Sequence, residues 1–231
     1  MTRPVRPRRA ASLILLRSGP DGAEALLGRR SRTARFMPGV FVFPGGAVQR
    51  SDAVPWSGET PPNGDARQSR LRISARAALR ETFEETGFIV GRPIEAGAAP
   101  TLPEEMSADI ASAYRAAERA PAFDAFVPIG RAITPTRSPI RFDAQFFLAD
   151  GGLALGPLRR GEELDEVGWY RVGDASPAPM SPAPMSGVTQ FMLARALEVW
   201  SGAGTETMPL YRHIGSRAKI EWRPNDAALG R

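Results

Sequence analysis

The chain has 231 residues, 30 lysines and arginines against 25 acids, a formal net charge of +5, one histidine (His213) and no cysteine. Without cysteine there is no disulfide, thiolate nucleophile or Cys-ligated metal centre, and one histidine rules out any site that needs two. Carboxylates, arginines and a hard metal ion remain as the chemistry open to an enzyme of this composition.

The charge is unevenly spread. Lys219 is the only lysine, and residues 1–9 hold four arginines and no acid. These nine residues read as a basic, disordered arm, and the rest is close to neutral. Nucleic-acid binding is therefore not expected, although the arm keeps it as a competing idea. No apolar run approaches the roughly 20 residues of a membrane span, and no secretory core follows the basic start. A cytoplasmic protein without membrane contact is expected.

In chain order, Ala10 to Arg17 is an apolar run that predicts a buried strand, and Ser18 to Gly22 is a turn cluster. Ala23 to Arg30 reads as the returning strand of a hairpin. Val40 to Phe43 is a third strand, ended by Pro44-Gly45-Gly46. Residues 52–64 are rich in Pro, Gly and polar side chains and predict a loop. Asp65 then offers an N-cap for a helix to about Thr86, with Gly87 at the left-handed position after it. Leu71, Ala75, Ala78, Leu79, Thr82 and Thr86 recur at helical spacing as its packed face. Residues 103–120 predict a second, Ala-rich helix. Strands are expected at Phe142 to Ala149 and Val167 to Val172, with Trp169 and Phe142 in the core. Ser-Pro-Ala-Pro-Met repeats twice over 176–185 as a stiff connector to a last helix, Val188 to Trp200. Residues 201–231 are weakly patterned and read as a C-terminal extension, with His213 a surface or tail residue. Strands flanking a central helix indicate an α/β layered fold.

The chemistry is concentrated at the end of the long helix, Arg80-Glu81-Thr82-Phe83-Glu84-Glu85-Thr86-Gly87-Phe88. At about 100° per residue, Glu81, Glu84 and Glu85 fall within one sector of the helix surface. Carboxylates crowded this closely repel unless a cation joins them, and all-oxygen donors suit Mg2+ or Mn2+. Taken alone, the same pattern also fits a solvated acidic face balanced by Arg76 and Arg80.

With the FPGG strand end before it, this segment resembles the Nudix hydrolase family, whose box reads G-x5-E-x7-R-E-U-x-E-E-x-G-U, with U a bulky apolar residue. Gly46 matches the first glycine, and Arg80, Glu81, Glu84, Glu85, Gly87 and Phe88 match the second half. Thr82 stands where an apolar residue is usual. Asp52 stands in place of the first glutamate, and 27 residues separate it from Arg80 instead of seven. The box therefore carries an insertion of 20 residues. The resemblance implies a Nudix-type α/β/α sandwich with a mixed sheet and helical insertions. One domain would span 10–200, with insertions at 53–65 and about 100–125. Glu81, Glu84 and Glu85 would be metal ligands, with the Gly46 carbonyl. Glu81 would be a metal ligand or the base that activates water, Glu84 would be catalytic through the metal it ligates, and Arg80 would orient Glu81. A base outside the box is sought among Glu162, Glu163, Asp165 and Glu166. The reaction implied is metal-assisted hydrolysis of a diphosphate.

A second resemblance concerns substrate. Leu26-Leu27-Gly28-Arg29-Arg30-Ser31, then Arg35, Gly39 and Phe43-Pro44-Gly45-Gly46, looks like the coenzyme A diphosphatase signature, except that Gly28 replaces a threonine. Met37-Pro38-Gly39, Ile133-Thr134-Pro135 and Arg141-Phe142-Asp143 also look like that branch. Arg30, Arg35, Gly45 and Gly46 are the implied substrate-binding residues, because arginine suits bidentate phosphate contacts. The expectation is hydrolysis of coenzyme A or acyl-coenzyme A. Other nucleoside diphosphate derivatives, such as ADP-ribose or NADH, and a non-catalytic binding module are the alternatives. A homodimer is left open.

Overall fold

The computed structural model describes residues 5–56, 65–95, 100, 102, 106–173, 184–215 and 217–225. The first strands are β1 (Arg8–Gly19), β2 (Gly22–Arg30), β3 (Phe41–Val42) and β4 (Gly45–Ala47). Helix α1 (Ala66–Thr86) follows, then β5 (Ile89–Pro93), α2 (Ala108–Ala116) and β6 (Arg119–Pro121). Next come β7 (Val127–Ile133), β8 (Phe142–Asp150), β9 (Ala154–Leu155) and β10 (Leu164–Arg171). The chain ends with α3 (Gly187–Trp200), β11 (Thr207–Ile214) and β12 (Arg217–Pro224).

The main sheet runs β10-β2-β1-β8-β7-β11-β12, with β3 on β2 and β4 on β1. β1 and β8 are parallel, as are β7 and β11; the other pairs are antiparallel. A small sheet, β6-β5-β9, packs on the α1 side. The centre of β1 explains the layering. Leu13 and Leu15 face the α1 core, Ile14 and Leu16 face the α3 core, and all four are fully buried. A strand buried on both faces needs such an uninterrupted apolar run. The architecture is the expected α/β/α sandwich with a mixed sheet.

Helix α1 forms where the sequence predicts. The Asp65 carboxylate accepts from Arg67 N, and Gly87 adopts φ +76° beyond Thr86. Its packed face is as expected, and Ala75, Ala77 and Ala78 let it lie close on the sheet. Thr82 is fully buried and donates its hydroxyl to the Ala78 carbonyl at 2.7 Å. With its polar atom satisfied inside the helix, it packs where the family pattern has an apolar residue.

Several boundaries differ from the expectation. Arg8 and Arg9 belong to β1, and Arg9 reaches the Arg70 carbonyl, so the arm ends before them. Residues 1–4 of that arm lie outside the described residues. The Gly45-Gly46 segment pairs with β1 as a strand of its own. The second helix covers only Ala108–Ala116, begun by the Ser107 cap. The body of the box insertion, 57–64, and most of the repeat, 174–183, lie outside the described residues. Trp56 anchors the insertion's start in the core against Phe123 and Tyr114. The C-terminal segment is not an appendage: β11 joins the main sheet beside β7, so the domain extends past residue 200 to β12.

Candidate active site

Asp52 answers the question that the insertion raises. After the Gly45-Gly46 strand the chain makes a short 3-10 turn, Ser51–Ala53, which buries Asp52 under α1. Arg80 donates to its carboxylate twice, Nε to Oδ1 at 3.0 Å and Nη2 to Oδ2 at 3.1 Å. Gln49 N donates to Oδ2 at 2.7 Å, and Arg76 donates to the Asp52 carbonyl at 2.7 Å. The insertion therefore leaves and returns without taking Asp52 out of reach of the helix.

Arg80 is the hub. Its Nη1 donates to Glu81 Oε1 at 2.9 Å and Glu84 Oε2 at 2.8 Å, and its Nη2 also reaches the Ala47 carbonyl at 3.1 Å. All five guanidinium N–H donors thereby have acceptors. Burial lowers the Arg80 pKa, but Asp52, Glu81 and Glu84 more than reverse this, and it is held above its ordinary value. The guanidinium stays charged and fixes the entry strand β4, the turn and two of the three helix glutamates to one another.

Glu85 turns the other way. It is buried and accepts from Gly45 N at 2.9 Å. Burial raises its carboxyl to about 8, against the Gly45 bond, and the charges of Glu81 and Glu163 add to the rise. Burial likewise raises Glu81 to about 7, despite Arg80 beside it. Glu84 is half exposed. Glycine at 46 leaves room for the Glu81 carboxylate, because a Cβ there would stand 2.5 Å from it and would have to push it aside.

Among the described residues, no three carboxylate or imidazole groups are arranged to hold a metal ion. Glu81 and Glu84 are drawn onto Arg80, and Glu85 rests on Gly45. The three glutamates expected as ligands are neighbours but not a formed ligand set. Their chemistry fits a hard divalent ion: every donor is oxygen, and the two buried carboxyls carry raised pKa values chiefly because burial disfavours their charged form.

Next to them opens a cavity of about 750 Å3 on the sheet face shared with α3. Glu81, Gly45, Gly46, Arg30 and Glu163 line one end. The wall continues over β1 and β8 to α3 and β11. Of the four candidate bases outside the box, only Glu163 lines this cavity, where Arg30 meets it at 3.4 Å. The loop before it is docked on the end of α1 by Arg159 N to the Thr86 carbonyl and Gly161 N to the Glu85 carbonyl. Glu166 instead pairs with Arg29 and Tyr170, Asp165 accepts from Arg32 N, and Glu162 is exposed. Of the two arginines expected at the substrate, Arg30 lines the cavity; Arg35 is exposed and does not.

Three cavity residues depart from the sequence reading. Phe142 is a wall residue and not core, and Phe36 stands edge-on to it at 5.2 Å. His213 is no tail residue: it sits in β11 and lines the cavity with Tyr211. Arg8 lines it too, although it was assigned to the arm. Trp169 packs as expected, with Arg17 over its ring and Phe88 beside it. Two-residue alternation places Arg8 on the same face as Ala10 and Ser12, and this signal could have found it.

The carboxylate helix, the glycine entry strand and the cavity lie together on an α/β/α sandwich. No family model matches the chain. Among solved structures, a NUDIX hydrolase from Alicyclobacillus acidocaldarius is 32% identical, with a TM-score of 0.53, over 71% of this chain and 79% of that one. A MutT/nudix family protein from Enterococcus faecalis shares the fold at 16% identity, with a TM-score of 0.50, over 87% of this chain and 64% of that one. The acyl-coenzyme A diphosphatase NUDT19 of Gallus gallus is 34% identical over 120 residues, which are 38% of this chain and 32% of that protein. The matched region thus spans about a third of this curated relative. The chain belongs to the Nudix hydrolase family. Among the described residues no helix is long and apolar enough to cross a membrane.

Proposed function

We propose that the protein is a divalent-metal-dependent diphosphatase that hydrolyses coenzyme A or acyl-coenzyme A to 3′,5′-ADP and a 4′-phosphopantetheine product. The observation that carries the reading is one cavity with the glutamate helix and Arg30 at one end and a second guanidinium, Arg8, further along its wall. Coenzyme A carries a diphosphate and a separate 3′-phosphate, so two separated cations suit it. Among the described residues, the Arg8 side chain has no hydrogen-bond or ion-pair partner. Ile133, Thr134, Pro135 and Phe142, part of the second resemblance, also line this cavity. The similarity to an acyl-coenzyme A diphosphatase points the same way.

In this reading Glu81, Glu84 and Glu85, with the Gly46 carbonyl, hold Mg2+ or Mn2+. When bound, the ion neutralises the diphosphate and makes water a better nucleophile. Arg80 holds Glu81 and Glu84 in register with β4. Glu163 or Glu81 accepts the proton of the attacking water, and Arg30 binds a phosphate oxygen.

A second reading is hydrolysis of other nucleoside diphosphate derivatives, such as ADP-ribose or NADH. Gly28 in place of threonine and the outward position of Arg35 favour it. The test is turnover, with Mg2+ or Mn2+, of a panel of diphosphates with and without a 3′-phosphate. The proposal expects coenzyme A to have the highest kcat/KM and dephospho-coenzyme A to lose at least about tenfold. A higher kcat/KM for ADP-ribose would establish the second reading instead.

A further inference from the structure

The far end of the cavity is built by a part of the chain outside the Nudix box, the β11–β12 hairpin. Its floor follows from the strand register. Ala10 of β1 pairs with Ala144 of β8, Ala144 with Ala132 of β7, and Ala132 with Tyr211 of β11. All four line the cavity. At about 4.8 Å per strand, three methyl groups make a flat floor of roughly 14 Å ending against a phenol ring. On the other side of Ala10 lies Ala47, next to the Gly46–Glu81 contact. The floor therefore runs in one line from the carboxylate helix to Tyr211.

The walls at that end are aromatic and polar together. His213 stands edge-on to Tyr211, with ring centroids 5.6 Å apart, and Phe191 braces Tyr211 from behind at 5.5 Å. The Tyr211 hydroxyl lies against Gly187, where an added Cβ would sit 3.3 Å from it. Ser186, Thr189 and Thr134 line the same cavity, but their hydroxyls are engaged within the protein: Ser186 Oγ and Thr189 Oγ1 bond each other at 2.9 Å, and Thr134 Oγ1 accepts from Phe142 N at 3.0 Å. The buried His213 Nδ1, by contrast, has no hydrogen-bond partner among the described residues. An acyl chain would cover the His213 imidazole without pairing its free nitrogen, which is costly. A flat heterocycle stacks on the rings and pairs a ring or exocyclic nitrogen with the imidazole.

We propose that this end of the cavity holds the heterocyclic base of the substrate's nucleoside, and that Tyr211 and His213 determine its specificity. The proposal rests on the reading of the site as a nucleoside diphosphate hydrolase. It fixes the direction of the substrate: the base lies toward β11, the diphosphate toward Glu81 and Arg30, and the second moiety leaves by the other side.

The test is calorimetric binding of ADP and of inorganic pyrophosphate to the full chain in Mg2+, for the wild type, Tyr211→Leu and His213→Ala. Leucine keeps apolar bulk against Phe191, and the half-buried His213 can be truncated with less disturbance to packing. Stacking of a base is worth about 1–3 kcal/mol. ADP is therefore expected to bind about tenfold more weakly to each variant, while the pyrophosphate affinity stays within about twofold. Equal ADP affinity in all three proteins overturns the proposal, as does a parallel loss of pyrophosphate binding or wild-type protein that binds pyrophosphate but not ADP. The two readings fail separately. Hairpin-dependent ADP binding in a protein that hydrolyses no diphosphate would leave the subsite standing and remove the activity. Turnover with an unchanged KM in both variants would do the reverse.

Discussion

Replacing Asp52 by asparagine tests whether the interrupted box is rebuilt as the structure has it. The change keeps the shape of a buried side chain and removes its charge. One of the two Arg80 bonds, of 3.0 and 3.1 Å, would keep the asparagine oxygen as acceptor and the other would be lost, and the Gln49 N–H bond of 2.7 Å would weaken. The asparagine amide also brings donors toward a guanidinium and a backbone N–H that both need acceptors. Breaking a buried ion pair by removing one partner costs about 3–5 kcal/mol. Glu81 and Glu84 still hold Arg80 Nη1, so the lower end, about 3 kcal/mol, is expected. For a chain of this size that lowers Tm by about 6–12 °C. Thermal and urea melts measure the loss, and turnover per folded molecule measures the drift of Arg80 from its two glutamates. Asp52→Glu keeps the charge but adds a methylene in a filled site, and should cost about 1–3 kcal/mol with activity largely kept. Stability within about 0.5 kcal/mol of wild type together with full turnover in Asp52→Asn would refute the role of Asp52, because surface changes without structural consequence fall in that range.

Gly46→Ala places a methyl group against the Glu81 carboxylate, at the end of a flexible side chain that can move aside. The melt should change little, while kcat falls by about a hundredfold from misplacement of Glu81; unchanged kcat would remove Glu81 from the reaction. Arg8→Ala should raise KM for coenzyme A by about tenfold and leave KM for dephospho-coenzyme A within twofold, since a charge-assisted bond contributes about 1.5–3 kcal/mol; equal effects on both would deny Arg8 the 3′-phosphate. The raised carboxyls give a pH prediction. With folded values of about 7 for Glu81 and about 8 for Glu85, the folded state binds more protons than the unfolded chain above the ordinary carboxylate range. Metal-free stability from these groups is therefore present at low pH and is lost as pH rises toward 8. The Tm difference between pH 5 and pH 8.5 should be smaller in Glu85→Gln than in wild type, and an equal difference in both would contradict the burial argument.

The fold was readable where one physical signal dominated. β1 announced itself by an apolar run that only a strand buried on both faces can carry, and α1 by its cap, its small-residue face and Gly87. The glutamates and Arg80 stood out through the resemblance to the Nudix box; their spacing alone also fits a solvated acidic face. Less visible were elements whose stability comes from the sheet around them. β11 is interrupted by Pro209 and mixes polar with apolar residues, and β12 is almost wholly exposed, so neither shows clean alternation. With the hairpin went the placement of Tyr211 and His213 in the cavity wall, which follows from the register that sets Tyr211 beside Ala132. Asp52 was recognised as a substitute but could not be assigned, because spacing says nothing of where a chain returns after 20 inserted residues. Among the acidic residues before Trp169, composition gave four equivalent candidates. The docking of Gly161 on Glu85 directs Glu163 alone into the cavity.

The central claim is metal-dependent diphosphate hydrolysis on the α1 glutamates. Its most direct test is the release of 3′,5′-ADP from coenzyme A by the purified chain, with Mg2+, with Mn2+ and after chelation, beside Glu84→Gln and Glu85→Gln. The account predicts release by the wild type with either ion, none after chelation, and at least about a hundredfold less from each folded variant. Release that survives chelation, or that both variants sustain at the wild-type rate, would contradict it.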